Sequence, residues 1–225
     1  MDTPPIQIQF KNVKKHFLND RPIFSDLNLN ISKGEFLFLT GVSGAGKSTL
    51  LNMILGIEKP DSGEIFFEGE DINSLSPHNI TFHRRKVGMV FQDYKLIEKK
   101  SARDNIAIPL KINGLSLGKI NSKVLKISRM LGINGLLNRT IESLSGGEQQ
   151  LVALARAAIH QPPVILADEP TANLDKTMAE RIINNLNRFN RSGITIILST
   201  HDIHLIKAQQ KRTVLIKNST IIDVR

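Results

Sequence analysis

The chain has 225 residues and no cysteine, which excludes a disulfide framework, a thiolate metal site and a cysteine nucleophile. Hydrophobic residues at 40% beside 23% charged exclude an intrinsically disordered chain and supply material for a sizeable core. Thirty Lys or Arg against 21 Asp or Glu give a net charge of +9, which draws the chain to nucleic acid, anionic lipid headgroups or phosphorylated ligands without choosing among them.

The opening Met-Asp-Thr-Pro-Pro lacks a basic region followed by an apolar one, and no apolar run approaches the roughly 20 residues of a membrane span. A cytoplasmic chain, at most peripheral to a membrane, is expected. Ile6–Phe10 and Leu27–Ile31 alternate, Phe36–Thr40 is a compact apolar run, and Ile65–Phe67 sits between glycines, so the N-terminal part is sheet-rich. Lys47–Gly56 reads as a helix entered from a glycine-rich loop. From about Tyr94 to His160 the pattern is helical, with Leu125, Ile127, Met130 and Leu131 as an expected stripe and a long run from Gln149 to Ile159. Val164–Ala167 and Thr195–Leu198 read as strands buried on both faces, hence a parallel core. Asn184–Phe189, with Arg181 and Ile182, suggests a crossover helix, and Thr213–Ile216 and Ile221–Val224 a terminal hairpin. No repeat or low-complexity linker marks a second domain.

Three segments carry chemistry. Phe36–Thr40 runs into Gly41-Val-Ser-Gly-Ala-Gly-Lys-Ser-Thr49 and then an apolar helix, the strand, glycine loop and helix order of a P-loop. Backbone N–H groups across Gly41, Ser43, Gly44, Ala45 and Gly46 can close on phosphate oxygens, Lys47 supplies a point charge to the β and γ phosphates, Ser48 offers a hydroxyl to Mg²⁺, and Thr49 is placed for the α phosphate. This loop alone fits kinases, GTPases, helicases and transport ATPases. Val164–Ala167 leads into Asp168 and Glu169 at the carboxyl end of a central strand, where Asp168 suits Mg²⁺ and Glu169 can polarise a water for attack on the γ phosphate. Leu144-Ser-Gly-Gly-Glu148 places Ser145, Gly146 and Gly147 at a helix N-terminus, either as a second anion site or as an ordinary capping box of Ser145 with Glu148.

In this order the three segments resemble the ATP-binding-cassette (ABC) ATPases, whose signature Leu144–Glu148 matches, and the resemblance covers essentially the whole chain. It implies an α/β fold: a P-loop NTPase core of ABC-ATPase type, an N-terminal antiparallel β subdomain and a helical insert over about 94–160 carrying the signature, within one nucleotide-binding domain. It implies roles for Gln92 (Q-loop, toward Mg²⁺ and nucleotide), Asp175 (D-loop), His201 (switch histidine, catalytic with Glu169 and Lys47) and Phe17 (stacking on adenine, where a Tyr is usual). It also implies ATP with Mg²⁺, and a homodimer in which the signature of one chain closes over ATP held by the P-loop of the other. One departure is Leu151, where the family usually has Arg after the two glutamines.

Gly88–Tyr94, Asp104–Leu110 and Leu166–Asp175 are similar to the cell-division branch of the family, which works with an integral membrane subunit, FtsX, and signals to peptidoglycan hydrolases. Lipoprotein-release and macrolide-export ATPases share much of the pattern. A peripheral place on the cytoplasmic face of the membrane follows, with Lys95, Lys99, Lys100 and Arg103 as docking charges. A nucleic-acid repair or translation protein is disfavoured by the single P-loop and the missing coiled coil and cysteines, so no nucleic-acid partner is expected. A metabolite kinase would leave the signature and His201 without a role.

Overall fold

The computed structural model describes residues 4–17 and 22–224. Two sheets carry the fold. The first is antiparallel, built from β1 (Ile6–His16), β2 (Pro22–Ser32), β4 (Ser62–Phe67) and β5 (Glu70–Asp71) in the order β2-β1-β4-β5. The second has six strands, with β3 (Phe36–Thr40), β6 (Val87–Val90), β7 (Val164–Asp168), β8 (Thr195–Ser199), β9 (Arg212–Lys217) and β10 (Thr220–Asp223) in the order β10-β9-β3-β8-β7-β6. All its pairings are parallel except the terminal hairpin β9–β10.

Period-two alternation in the central strands divides the core into two layers. Leu37, Leu39, Val164, Leu166 and Ile197 face the antiparallel sheet and helix α1 (Lys47–Ile54), packing with Phe10, Phe24, Leu50 and Met53. Phe36, Phe38, Ile165, Ala167, Ile196 and Leu198 face the opposite side, against α3 (Ala102–Ile112), α4 (Leu117–Leu131), α5 (Gly146–Ala158) and α6 (Lys176–Arg191). Both faces being covered, these strands carry unbroken apolar runs.

Of the helices between β6 and β7, the first and the last start at side-chain caps. Ser101 caps α3, accepting from the Asp104 N–H and donating to the Asp104 carboxylate at 2.7 Å, which holds that carboxyl below its usual range. Fully buried Asn105 accepts from Ile97 N–H and donates to the carbonyls of Ile97 and Ser101, pinning the segment that precedes the helix. On α4 the buried face is Ile120, Val124, Ile127, Ser128 and Leu131. The expected stripe is therefore corrected: Ile127 and Leu131 lie on it, whereas Leu125 is exposed and Met130 only partly covered.

Four elements are not expected from the sequence: β5, α2 (Pro77–Arg85), β6 and α7 (Ile203–Gln209). Ser76 caps α2 with Pro77 in its first turn, and Asp202 caps α7, so each helix has a local start signal but little apolar periodicity. Strand β6 contains Gly88 because α5 crosses it closely; a Cβ there would stand 2.3 Å from the Ala157 carbonyl oxygen. Among the described residues no helix is long and apolar enough to cross a membrane.

His83 on α2 is buried, with Nε2–H donating to the Ile54 carbonyl at 2.7 Å. Burial, with Lys86 and Arg84 nearby, pushes its pKa below the usual value against the pull of that carbonyl, and burial does the same to His160. The unfolded chain thus takes up these protons more readily. The contribution of these two groups to stability is full above about pH 6.5 and declines as the pH falls below it. The urea midpoint is expected to be lower at pH 5.5 than at pH 7.5, with a smaller drop in His83→Gln.

Candidate active site

The carboxyl ends of β3, β7 and β8 open onto one cleft of about 580 Å³, lined from five separate stretches of chain: Phe17, the loop and helix start Val42–Thr49, Gln92, Asp168–Ala172 and His201. The loop between β3 and α1 turns through positive φ at Gly41, Gly44 and Gly46. At Gly46 the loop presses onto the first sheet; a Cβ there would meet Ile23 Cγ2 at 2.6 Å. This seats the N-terminus of α1 at the cleft, with its free N–H groups and the positive end of the helix dipole.

Lys47, only 9% exposed, donates to the Gly41 carbonyl at 2.9 Å and lies 3.6 Å from Glu169 Oε1. Asp168 ends β7, and its Oδ1 accepts from the Ser199 hydroxyl at 2.5 Å. The next residue leaves the strand through the left-handed region, φ 46° at Glu169, a conformation costing a non-glycine residue on the order of 1–3 kcal/mol. The Glu169 N–H, shared between the carbonyl and hydroxyl oxygens of Ser199 at 3.1 and 3.0 Å, holds the turn. Two adjacent carboxylates therefore diverge. Asp168 stays beside β8, and Glu169 turns to Lys47 on one side and to His201 Nδ1, 3.0 Å away, on the other.

Of the remaining sequence-predicted residues, Phe17 is 53% exposed at the mouth, Ser43, Ser48 and Thr49 line the loop side, and Gln92 follows β6 on the far wall. Ala45 lines the adjoining depression with Ser43 and Gly44, and Gly41 contributes its carbonyl to Lys47. Ser145, Gly146, Gly147 and Asp175 do not line this cleft. Within one chain Ser145 forms a reciprocal capping box with Glu148 at the start of α5, and Asp175 caps α6 by accepting from Met178 N–H at 2.9 Å.

Helix α5 connects these parts through residues that local sequence reading passed over. Near its start, buried Gln150 donates to the Pro170 carbonyl at 2.7 Å, in the turn after Glu169. Near its end, Arg156 donates to the carbonyls of Tyr94 and Lys95 at 2.6 Å each, two residues with positive φ that follow Gln92 and Asp93. An Arg in the run Leu-Ala-Arg-Ala-Ala was the available signal, since burial among alanines demands acceptors. Leu151, the departure from the usual Arg, is buried in the second core layer, where an aliphatic side chain packs without a counter-charge.

The arrangement can hold a polyphosphate on the loop amides and Lys47, present oxygen donors to a divalent cation, and accept a proton from water at Glu169. Comparison with known proteins bears on that chemistry. The model of the family described as ABC transporter matches residues 24–172. The cell division ATP-binding protein FtsE of Escherichia coli (strain K12) is 45% identical over 208 residues, 91% of this chain and 92% of that protein. FtsE of Haemophilus influenzae is 42% identical over 205 residues, covering 91% and 94%. A dimeric structure of the ATP-binding cassette MJ0796 in a post-hydrolysis state with ADP and Pi superposes with a TM-score of 0.87 at 35% identity, over 97% of this chain and 99% of that one.

The Arg156 bridge predicts a measurable penalty. Arg156→Ala strands two carbonyls in a part-buried turn, and the loss of two charge-assisted hydrogen bonds is expected to cost about 2–4 kcal/mol in a denaturation experiment. Arg156→Lys, which cannot fork to both carbonyls, should recover only part of it.

Proposed function

The chain belongs to the ABC transporter family and is an ATP-hydrolysing enzyme, and from that premise we propose that it powers a membrane-bound complex of cell division. The observation carrying this reading is the meeting of Lys47, Glu169 and His201 in a cleft that the signature helix of the same chain does not reach. The printed names of the E. coli and H. influenzae relatives support the cell-division setting.

In the proposed reaction, the loop amides and Lys47 hold the β and γ phosphates of ATP, and Phe17 stacks on the base. Incoming phosphate oxygens replace the carbonyl and carboxylate contacts that Lys47 makes in the present structure. Glu169, held by His201, orients a water toward the γ phosphorus and takes its proton as the new P–O bond forms and the bond to the bridging oxygen breaks, leaving ADP and phosphate. The donors left for a cation are oxygens only: the Ser48 hydroxyl, the Gln92 amide and the Asp168 carboxylate. Among the described residues no three His, Cys, Asp or Glu cluster to hold a metal alone. This set fits Mg²⁺, which Ser48, Gln92 and Asp168 would hold and which, when bound, would neutralise charge on the transferring phosphoryl group.

Ser145, Gly146, Gly147 and Asp175 are proposed to act on the nucleotide of a second copy, closing two sites in a head-to-tail pair. The dimeric MJ0796 neighbour supports this assembly. The whole chain is read as one nucleotide-binding unit, with the helices of about 94–160 turned to an FtsX-type membrane subunit at the cytoplasmic face. A groove of about 460 Å³ between α2, β6, α3 and α5 offers the seat. Its wall includes Phe91 and Lys95, so a segment lodged there touches both ends of the turn that carries Gln92. His160 adds two buried ring nitrogens without a hydrogen-bond partner among the described residues.

Glu169→Gln is expected to bind ATP, lose on the order of a hundredfold or more in turnover, and sediment as a dimer with Mg-ATP. Lys47→Ala should lose both binding and turnover. A monomeric Glu169→Gln at saturating nucleotide would refute the paired site. Separately, Lys99→Glu with Lys100→Glu should lower co-purification with the membrane subunit while leaving ATP affinity unchanged.

A further inference from the structure

The positive charge of this chain is not spread over its surface. Residues 95–141 hold ten Lys or Arg against two Asp or Glu, so this stretch accounts for +8 of the net +9. From Asn105 to Ile141 there are six basic residues and no acidic one. Lys111 pairs with Asp104, but Lys119, Lys123 and Lys126 on α4 have no ion pair among the described residues. Lys119 and Lys126, two helical turns apart, stand away from the buried face of α4.

At the start of α4 the connection from α3 exposes two large aliphatic side chains, Ile112 at 57% and Leu117 at 74%, set among Asn113, Gly114, Ser116 and Gly118. Exposed aliphatics followed by unpaired lysines are the two components of interfacial membrane binding: the lysines approach headgroup phosphates, and the aliphatic tips enter the acyl boundary. The same surface is poorly made for nucleic acid. Residues 95–141 contain no aromatic side chain to stack on a base, and phosphates give Ile112 and Leu117 nothing to bury against. Ile112 also lines the groove proposed above for the membrane subunit, so the tip and that seat are continuous.

We propose that the α3–α4 tip and the lysine flank of α4 form a direct docking surface for anionic phospholipid headgroups of a bilayer. The contact deepens the membrane reading above, yet it needs no membrane subunit. Each lysine neutralised is expected to weaken it by about fivefold at low salt, and each one reversed by more.

The chain contains no tryptophan, so Leu117→Trp gives it a single reporter at the tip. With vesicles of phosphatidylglycerol and phosphatidylcholine its emission should shift to the blue and the protein should co-sediment. Vesicles of phosphatidylcholine alone should do neither, and Lys119→Glu with Lys126→Glu in the same background should lower binding at least about tenfold. ATP turnover of all variants should stay within about twofold of the parent, which shows that they are folded. Absence of a blue shift on anionic vesicles, equal binding to the neutral ones, or unchanged binding by the double reversal would each overturn the proposal. So would a preference for RNA over anionic vesicles with the same sensitivity to the reversals. Failure here leaves the ATP-driven pairing and subunit co-purification untouched, whereas failure of those with vesicle binding intact would sink the division reading instead.

Discussion

The cleft depends on one hydroxyl. Ser199 ends β8 and touches both carboxylate-bearing residues at the end of β7, donating to Asp168 and accepting from the Glu169 backbone. Parallel pairing brings Asp168 beside Ser199, which aligns the two strand ends. The left-handed turn at Glu169 is unfavourable in isolation and persists because Ser199 supplies its N–H with acceptors. From that fixed point the Glu169 side chain reaches Lys47 and His201, which enter from different directions along the chain. Strain at one residue thus positions the carboxylate.

Helix α5 extends this order outward. Its first turn carries the Ser145 capping box, Gln150 ties it to the turn after Glu169, and Arg156 ties its far end to the carbonyls after Gln92. A displacement of either turn therefore loads the same rigid rod. Leu151 keeps the middle of that rod in an apolar layer, so the helix is held by packing along its length and by hydrogen bonds at its two ends.

What could be read from sequence follows from how local each signal is. Strands β3, β7 and β8 announce themselves because covering both sheet faces demands continuous apolar runs, and the glycine loop is recognisable because its Gly and Lys spacing is itself the device. The Ser145 box is equally local, being closed within four residues. The partners of Ser199 and Arg156 are illegible for the opposite reason: they stand 31 and 62 residues away, and although the alanine run around Arg156 says that it needs acceptors, nothing beside it marks which ones. Helices α2 and α7 are short and polar, stabilised by caps more than by an apolar face, so periodicity had little to register. Leu125 misled because alternate spacings on α4 offer two overlapping stripes, and only tertiary packing chose between them.

The uneven placement of charge has a kinetic meaning apart from any contact. A body whose excess cations reside in one stretch carries a large electric dipole moment, and in the field near a negatively charged surface it rotates before it collides. The helical insert leads that approach. Encounters with such a surface are then pre-aligned, and the benefit extends only about a Debye length, roughly 8 Å at physiological ionic strength.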